Sequence, residues 1–275
     1  MHGRPAVPGS DVAIIPSRSF TLRLRSASGR SGSLWLTQHP SENHFFMSDH
    51  NLVFALRHRL GLYPRQSLTA YAHMRCLLCD GMPQHDHFHS CRPLRGSIVT
   101  DRHNAMLKVL ATLTREAHCN FWLEPRIIAP GGRRDPDDRR GIRPDCIIVT
   151  HTRRFMLDVS VTNPTSPSYL RPGNERHCRD VELLKVRKYR DLALADGCEF
   201  VPFVMESYGT WGQQAVHFLR ELAASHSNDP EAAAAFYRRS VAACSFALQA
   251  GNAHVASMGS LRHRTEEVHA ARRDL

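Results

Sequence analysis

No run of 18 apolar residues occurs in this 275-residue chain, so no segment has the length of a membrane-spanning helix. The first residues, MHGRPAVPGSDVAIIPSRS, lack the apolar core of a secretory signal. Internal repeats and low-complexity tracts are also missing, which argues against a repeat architecture. Acidic side chains are the scarce charge: 26 Asp+Glu stand against 36 Lys+Arg, a net charge of +10. That surplus suits a polyanionic partner, and a phosphate backbone is the commonest one. A basic protein with no nucleic-acid role is the plain alternative. Apolar residues make up 42%, and the length allows one large or two small domains with a substantial core.

Residues 1–30 are rich in Gly, Ser, Pro and Arg and read as a flexible arm or loose strand. SDHNLVFALRHRLGL reads as a helix, with Ser48 or Asp49 as its cap and Leu52, Ala55, Leu56 and Leu60 at helical spacing. DRHNAMLKVLATLTREAHC is a second helix, with Asp101 as cap and Met106, Leu107, Leu110 and Leu113 along one face. The period then changes. NFWLEPRII, PDCIIVT and RRFMLDVSVTNP read as strands, the first two separated by the turn-rich loop APGGRRDPDDRRGIR. CRDVELLKVRKYRDLALADG is a helix closed by Gly197, and CEFVPFVMES is a strand. WGQQAVHFLRELAAS and DPEAAAAFYRRSVAACSFALQAG are helices, the last with Asp229 as cap and Pro230 at its first position. The expected fold is therefore α+β. From residue 101 the order is helix, three strands, helix, strand, helices.

The eight cysteines are not spaced as a disulfide framework, and an intracellular chain keeps them reduced. Cys119, Cys146, Cys178, Cys198 and Cys244 are scattered singly and read as small buried or near-surface residues. The other three fall in RCLLCDGMPQHDHFHSC. Cys76-x2-Cys79 followed by His87-x3-Cys91 supplies three thiolates and an imidazole, which can close a tetrahedron around Zn2+. Four protein ligands leave no open position for water, so a structural role is expected. His85 and His89 compete with His87 as the fourth ligand, although His89 lies so near Cys91 that chelation by both is awkward. The alternative is a histidine-rich loop without metal.

Asp145 opens one apolar strand directly after Pro144, and Asp158 sits inside the next. Antiparallel pairing can bring both carboxylates to one sheet face, and Glu124 on the preceding strand can add a third. Like charges within strands are costly unless a cation compensates them, and Mg2+ or Mn2+ suits such hard oxygen ligands. Pairing with Arg126, Arg143 or Arg154 satisfies the same acids equally well, and spacing does not choose. Glu182, Lys185 and Tyr189 share one face of the following helix. A lysine there can orient a water or steady developing phosphorane charge, whereas an isolated lysine on a basic helix is simply solvated.

Taken together these segments resemble the PD-(D/E)XK nuclease superfamily: an acid after proline, a second acid in the next strand and a nearby lysine. More closely, the chain is similar to the restriction-like endonuclease region at the C-terminal end of reverse transcriptases of site-specific non-LTR retrotransposons. The matching pieces are CLLC…DHFHSC, DRHN, LEP, RPD, LDVSVTNP, ELLKVRKY and FVPFVMESYGTWG, with weaker likeness upstream in SLWLTQHP and LVFALRHRLGL. The resemblance covers about residues 33–225 and implies an endonuclease core over 101–226. An arm (1–30) and a knuckle-bearing helical segment (31–100) precede that core, and helices (227–275) follow it. It further implies DNA cleavage by metal-activated water at Asp145, Asp158 and Lys185. Glu124 and His103 become auxiliary active-site or DNA-contacting residues, and the zinc knuckle holds or orients DNA. The usual lysine two residues after the second acid is Ser160 here, so the lysine is expected on the helix, as Lys185 with Lys188 the alternative. No Tyr/Phe-x-Asp-Asp polymerase signature occurs. The chain is thus expected to be a detached piece, remnant or stand-alone relative of a longer protein with a reverse transcriptase module. Its expected partner is DNA, with RNA second, in the nucleus.

Overall fold

The computed structural model describes residues 17–38, 46–64, 75–81, 85–94, 96–125, 144–166, 169–170 and 177–273. The helices are α1 (Arg18–Ser28), α2 (Arg30–Ser33), α3 (Asp49–Leu60), α4 (Ile98–Glu116), α5 (His177–Ala195), α6 (Gln213–His226) and α7 (Pro230–Arg273). The strands are β1 (Asn120–Leu123), β2 (Cys146–Val149), β3 (Arg154–Thr162) and β4 (Glu199–Glu206). The fold is mixed α+β, and from α4 onward the elements follow the order read in the sequence. Among the described residues no helix is long and apolar enough to cross a membrane.

One sheet, ordered β1-β2-β3-β4, organises the molecule. β1, β2 and β3 are antiparallel neighbours, whereas β4 runs parallel to β3. A parallel neighbour needs a crossover, and α5 supplies it. Alternation along β3 then decides the layers. Phe155, Leu157 and Val159 join Met106, Leu110 and Leu113 of α4 and Phe218 and Leu222 of α6 in the main core. Met156 faces the other way, with Ile147 of β2 and Ala193 of α5. The sheet is sandwiched between α5 on one side and α4 and α6 on the other. By the same alternation Asp158 belongs to the α5 side.

Several local expectations are met in altered form. Ser48 caps α3, accepting from the Asn51 N–H at 3.3 Å, and Asp229 caps α7 by accepting from Ala232 at 2.9 Å. α4 begins at Ile98, so Asp101 lies in its first turn, not at its cap. The second half of the expected arm is helical: α1 starts where Ser17 accepts from the Phe20 N–H at 3.2 Å. Residues 1–16 and the loop 129–143 lie outside the described residues.

The largest departure is α7. It does not stop at Gly251 but continues to Arg273, 44 residues in all. Gly251 and Gly259 serve close approach, not termination. A Cβ on Gly251 would meet the Arg102 side chain at 2.6 Å, and one on Gly259 would meet the Phe88 ring at 2.6 Å. Two missing side chains thus let α4 and the Cys/His segment lie against one long helix, which also packs on α3 and α6.

Candidate active site and metal-binding cluster

β2 and β3 place the two expected acids together. The register ends with Cys146 opposite Leu157, so Asp145 and Asp158 both lie at the same end of this strand pair. The Asp145 N–H still donates to Leu157 O at 3.0 Å, so the pairing extends that far. Asp145 Oδ2 accepts from the Val159 N–H at 2.6 Å, which locks this carboxylate onto the neighbouring strand. Asp158 is the more deeply buried, its side chain 8% exposed against 23% for Asp145.

Two basic side chains reach these carboxylates from opposite layers. Lys185 Nζ of α5 lies 2.8 Å from Asp158 Oδ2, which also accepts from the Ser160 hydroxyl at 3.0 Å. His103 Nε2 of α4 lies 3.3 Å from Asp145 Oδ1. The hydrogen bond to Asp145 raises the His103 pKa above its ordinary value, against the opposing effect of burial. Lys188, the alternative lysine, instead donates to the Tyr189 hydroxyl at 2.9 Å, and that bond raises its own pKa. Arg154 pairs with Asp196 at 3.4 Å and takes no part, while Arg126 and Arg143 lie outside the described residues.

Glu124 is positioned through its backbone. Its N–H donates to Asp145 O at 2.9 Å, but φ is +43° and the side chain is exposed. Among the described residues the three carboxylates do not gather closely enough to count as one ion-binding group. As donors, Asp145 and Asp158 still fit a hard divalent ion, because Mg2+ commonly uses one or two carboxylates and completes its shell with water and substrate phosphate. In the present arrangement Lys185 supplies the positive charge beside Asp158. Glu182, on the same helix, accepts from the Gln214 N–H at 2.9 Å and so caps α6.

The Cys/His segment forms a compact cluster. The ligand atoms of Cys76, Cys79, His87 and Cys91 all lie within 4.8 Å of one another, and this group could hold a zinc ion. Cys79 Sγ and His87 Nε2 are 3.3 Å apart. The hydrogen bond between Cys91 and Cys76 lowers the pKa of Cys76 and raises that of Cys91. The competing histidines are occupied elsewhere. His85 Nε2 is 2.9 Å from the Tyr208 hydroxyl, and His89 is buried between His58 and Arg102.

A buried polar network under this cluster was not read from the sequence. Asp86, between the ligand pairs, accepts from Asn163 Nδ2 at 2.7 Å, from Tyr208 OH at 3.3 Å and from the Thr165 hydroxyl. Burial opposes its ionisation, but the facing His85 and the Thr165 and Asn163 hydrogen bonds outweigh burial and hold the carboxyl below its usual range. The His58 ring stacks on Tyr208 at 4.3 Å, and Arg102 donates to Asn252 Oδ1 of α7 at 2.9 Å. The cluster is thereby fastened to the ends of β3 and β4. The available signal was that Asn163, Thr165 and Tyr208 fall in or beside the quoted pieces LDVSVTNP and FVPFVMESYGTWG.

No protein-family model matches this chain, and no curated protein matches it.

Proposed function

We propose that this chain is a metal-dependent DNA endonuclease with a PD-(D/E)XK core. In this reading it is a relative of the restriction-like endonuclease region of non-LTR retrotransposon reverse transcriptases and carries a structural zinc knuckle. One observation carries it: Lys185 lies 2.8 Å from Asp158, and Asp145 accepts from the N–H of the next residue, Val159, so groups 40 residues apart converge at one end of β2 and β3. Ser160 occupies the usual lysine position, and Lys185 reaches the same carboxylate from α5.

Asp145 and Asp158 are the residues to hold Mg2+ or Mn2+. Such an ion, when bound, supplies Lewis acidity and lowers the pKa of water. Lys185, once freed from Asp158, orients the attacking water or balances charge on the phosphate oxygens. His103 fixes Asp145 from the α4 side, and Glu124 marks the DNA-facing edge. Cys76, Cys79, His87 and Cys91 hold Zn2+, and the basic surface takes DNA, or RNA, in the nucleus. The parent assembly in this reading includes a reverse transcriptase module.

A second reading is favoured by a specific feature. Both carboxylates already have basic partners, Lys185 and His103, and Glu124 is not gathered with them. A nucleic-acid-binding zinc protein that has lost catalysis, a transposon remnant, is consistent with this. Supercoiled-plasmid nicking with Mg2+ or Mn2+ separates the two. The endonuclease converts supercoiled to nicked circles and Asp145→Ala does not, whereas binding by wild type without any nicking establishes the remnant.

A further inference from the structure

A cavity of about 380 Å³ lies beside the start of α5, on ground that the catalytic set does not use. His177 and Trp211 line it; both are buried, and neither the two imidazole nitrogens nor the indole N–H has a hydrogen-bond partner. Buried polar atoms are normally satisfied, so three unsatisfied atoms on two residues that line one cavity single it out as a candidate ligand site. Tyr169 meets the His177 ring edge-on at 3.9 Å and limits its rotation.

The charges are arranged in two tiers. Glu182 and Glu206 line the interior, both buried, and burial raises both pKa values. Arg25 and Arg179 are exposed lining residues, and each acts on a carboxyl inside, Arg25 on Glu206 and Arg179 on Glu182, in the direction that favours its charged form. Carboxyl groups inside reject a phosphate there but can accept from the N–H groups of a nucleobase, and the exposed arginines outside suit a phosphate.

We propose that this cavity takes a single unpaired nucleotide, its base inside against His177 and Trp211 and its phosphate on Arg25 and Arg179. The inference rests on the endonuclease reading only for the strand that delivers the nucleotide. Glu182 lies about one helical turn before Lys185, some 4.5 Å along α5. Glu206 lies four residues beyond Pro202, the partner of Asp158, about 13 Å along β4. These offsets along the two elements set the base read within a few nucleotides of the cleaved phosphate. A base must leave its stack to enter such a site.

Calorimetric titration of the full chain, without added Mg2+ or Mn2+, tests the site independently of nicking. The titrants are the deoxynucleoside and ribonucleoside monophosphates, the parent nucleosides and inorganic phosphate. Saturable binding of the monophosphates is expected, with nucleosides and phosphate each weaker. The Arg25→Ala/Arg179→Ala variant should weaken monophosphate binding roughly tenfold, as loss of charge-assisted hydrogen bonds implies. Both arginines are exposed, so its melting temperature should stay at the wild-type value. A preference for the deoxy series assigns the site to a DNA strand, and one for the ribo series to RNA; either supports the site. No saturable binding at millimolar concentration, equal binding by the double variant, or phosphate binding as tightly as nucleotide overturns it. Failure to nick DNA alongside normal nucleotide binding overturns the endonuclease reading and leaves this site standing.

Discussion

Lys185 and Asp158 form the contact on which catalysis and decay divide. A lysine 2.8 Å from a buried carboxylate is either a resting partner, displaced when an ion arrives, or a permanent neutraliser. In the proposed enzyme Lys185→Ala slows nicking on the order of 10²–10³-fold, the range for losing one group aimed at developing charge. Lys188→Ala has a smaller effect, because its ammonium is held by the Tyr189 hydroxyl. Single-turnover nicking rates of both variants decide this, and equal losses would remove Lys185 from its assigned role. His177 provides a pH signature at the same scale. Burial lowers its pKa to about 4, whereas an unfolded histidine titrates near ~6.5. The unfolded chain therefore takes up a proton between those values that the folded chain refuses. The contribution of His177 to stability is full above about pH 6.5 and is lost as pH falls toward 4. Urea midpoints at pH 7 and pH 5 should differ more for wild type than for His177→Phe, and an equal difference in both would contradict the assignment.

At the scale of elements, the Cys/His segment is small and depends on what surrounds it. Cys76, Phe88, Cys91 and Leu94 form a cluster with Ile98 of α4 and Val255 of α7, and Asp86 ties the segment to the ends of β3 and β4. Purified protein is expected to carry about one zinc per chain, because four protein ligands close the site. Cys76→Ser and Cys91→Ser should lose that zinc and lower the melting temperature. His87→Ala should lose it as well. His85→Ala should keep it, since His85 is engaged with Tyr208. Metal analysis of the four variants checks this, and full zinc in His87→Ala would reassign the ligand.

The whole molecule carries +10 of formal charge, and its helices surround one sheet without a membrane-length apolar element among the described residues. Binding to DNA through that charge releases counterions, so affinity should fall steeply as salt rises and the screening length shortens toward ~10 Å at 0.1 M. Fluorescence anisotropy with a labelled duplex across a salt series measures the slope. A flat response, or no binding at low salt, would exclude a nucleic-acid partner and with it both readings of the site.

The sequence by itself determined most of the elements from α4 onward and the order in which they follow. Hydrophobic period separated the helices from β2, β3 and β4, and spacing selected the cysteines. Asp145 and Asp158 could be placed at the same end of two strands because neighbouring strands in sequence pair antiparallel. These are local properties, set by a few adjacent residues. The tertiary structure decided what depends on distant partners. It chose His87 because Tyr208, His58 and Arg102 occupy His85 and His89. It brought Lys185 and not Lys188 to Asp158, because α5 packs against β3 and β4 with that face inward. It carried α7 through Gly251 and Gly259, whose missing side chains make room for Arg102 and Phe88. A glycine reads as a stop only while its neighbours across the fold are unknown. Here those neighbours lie 149 and 171 residues away in the chain, beyond the reach of any local pattern.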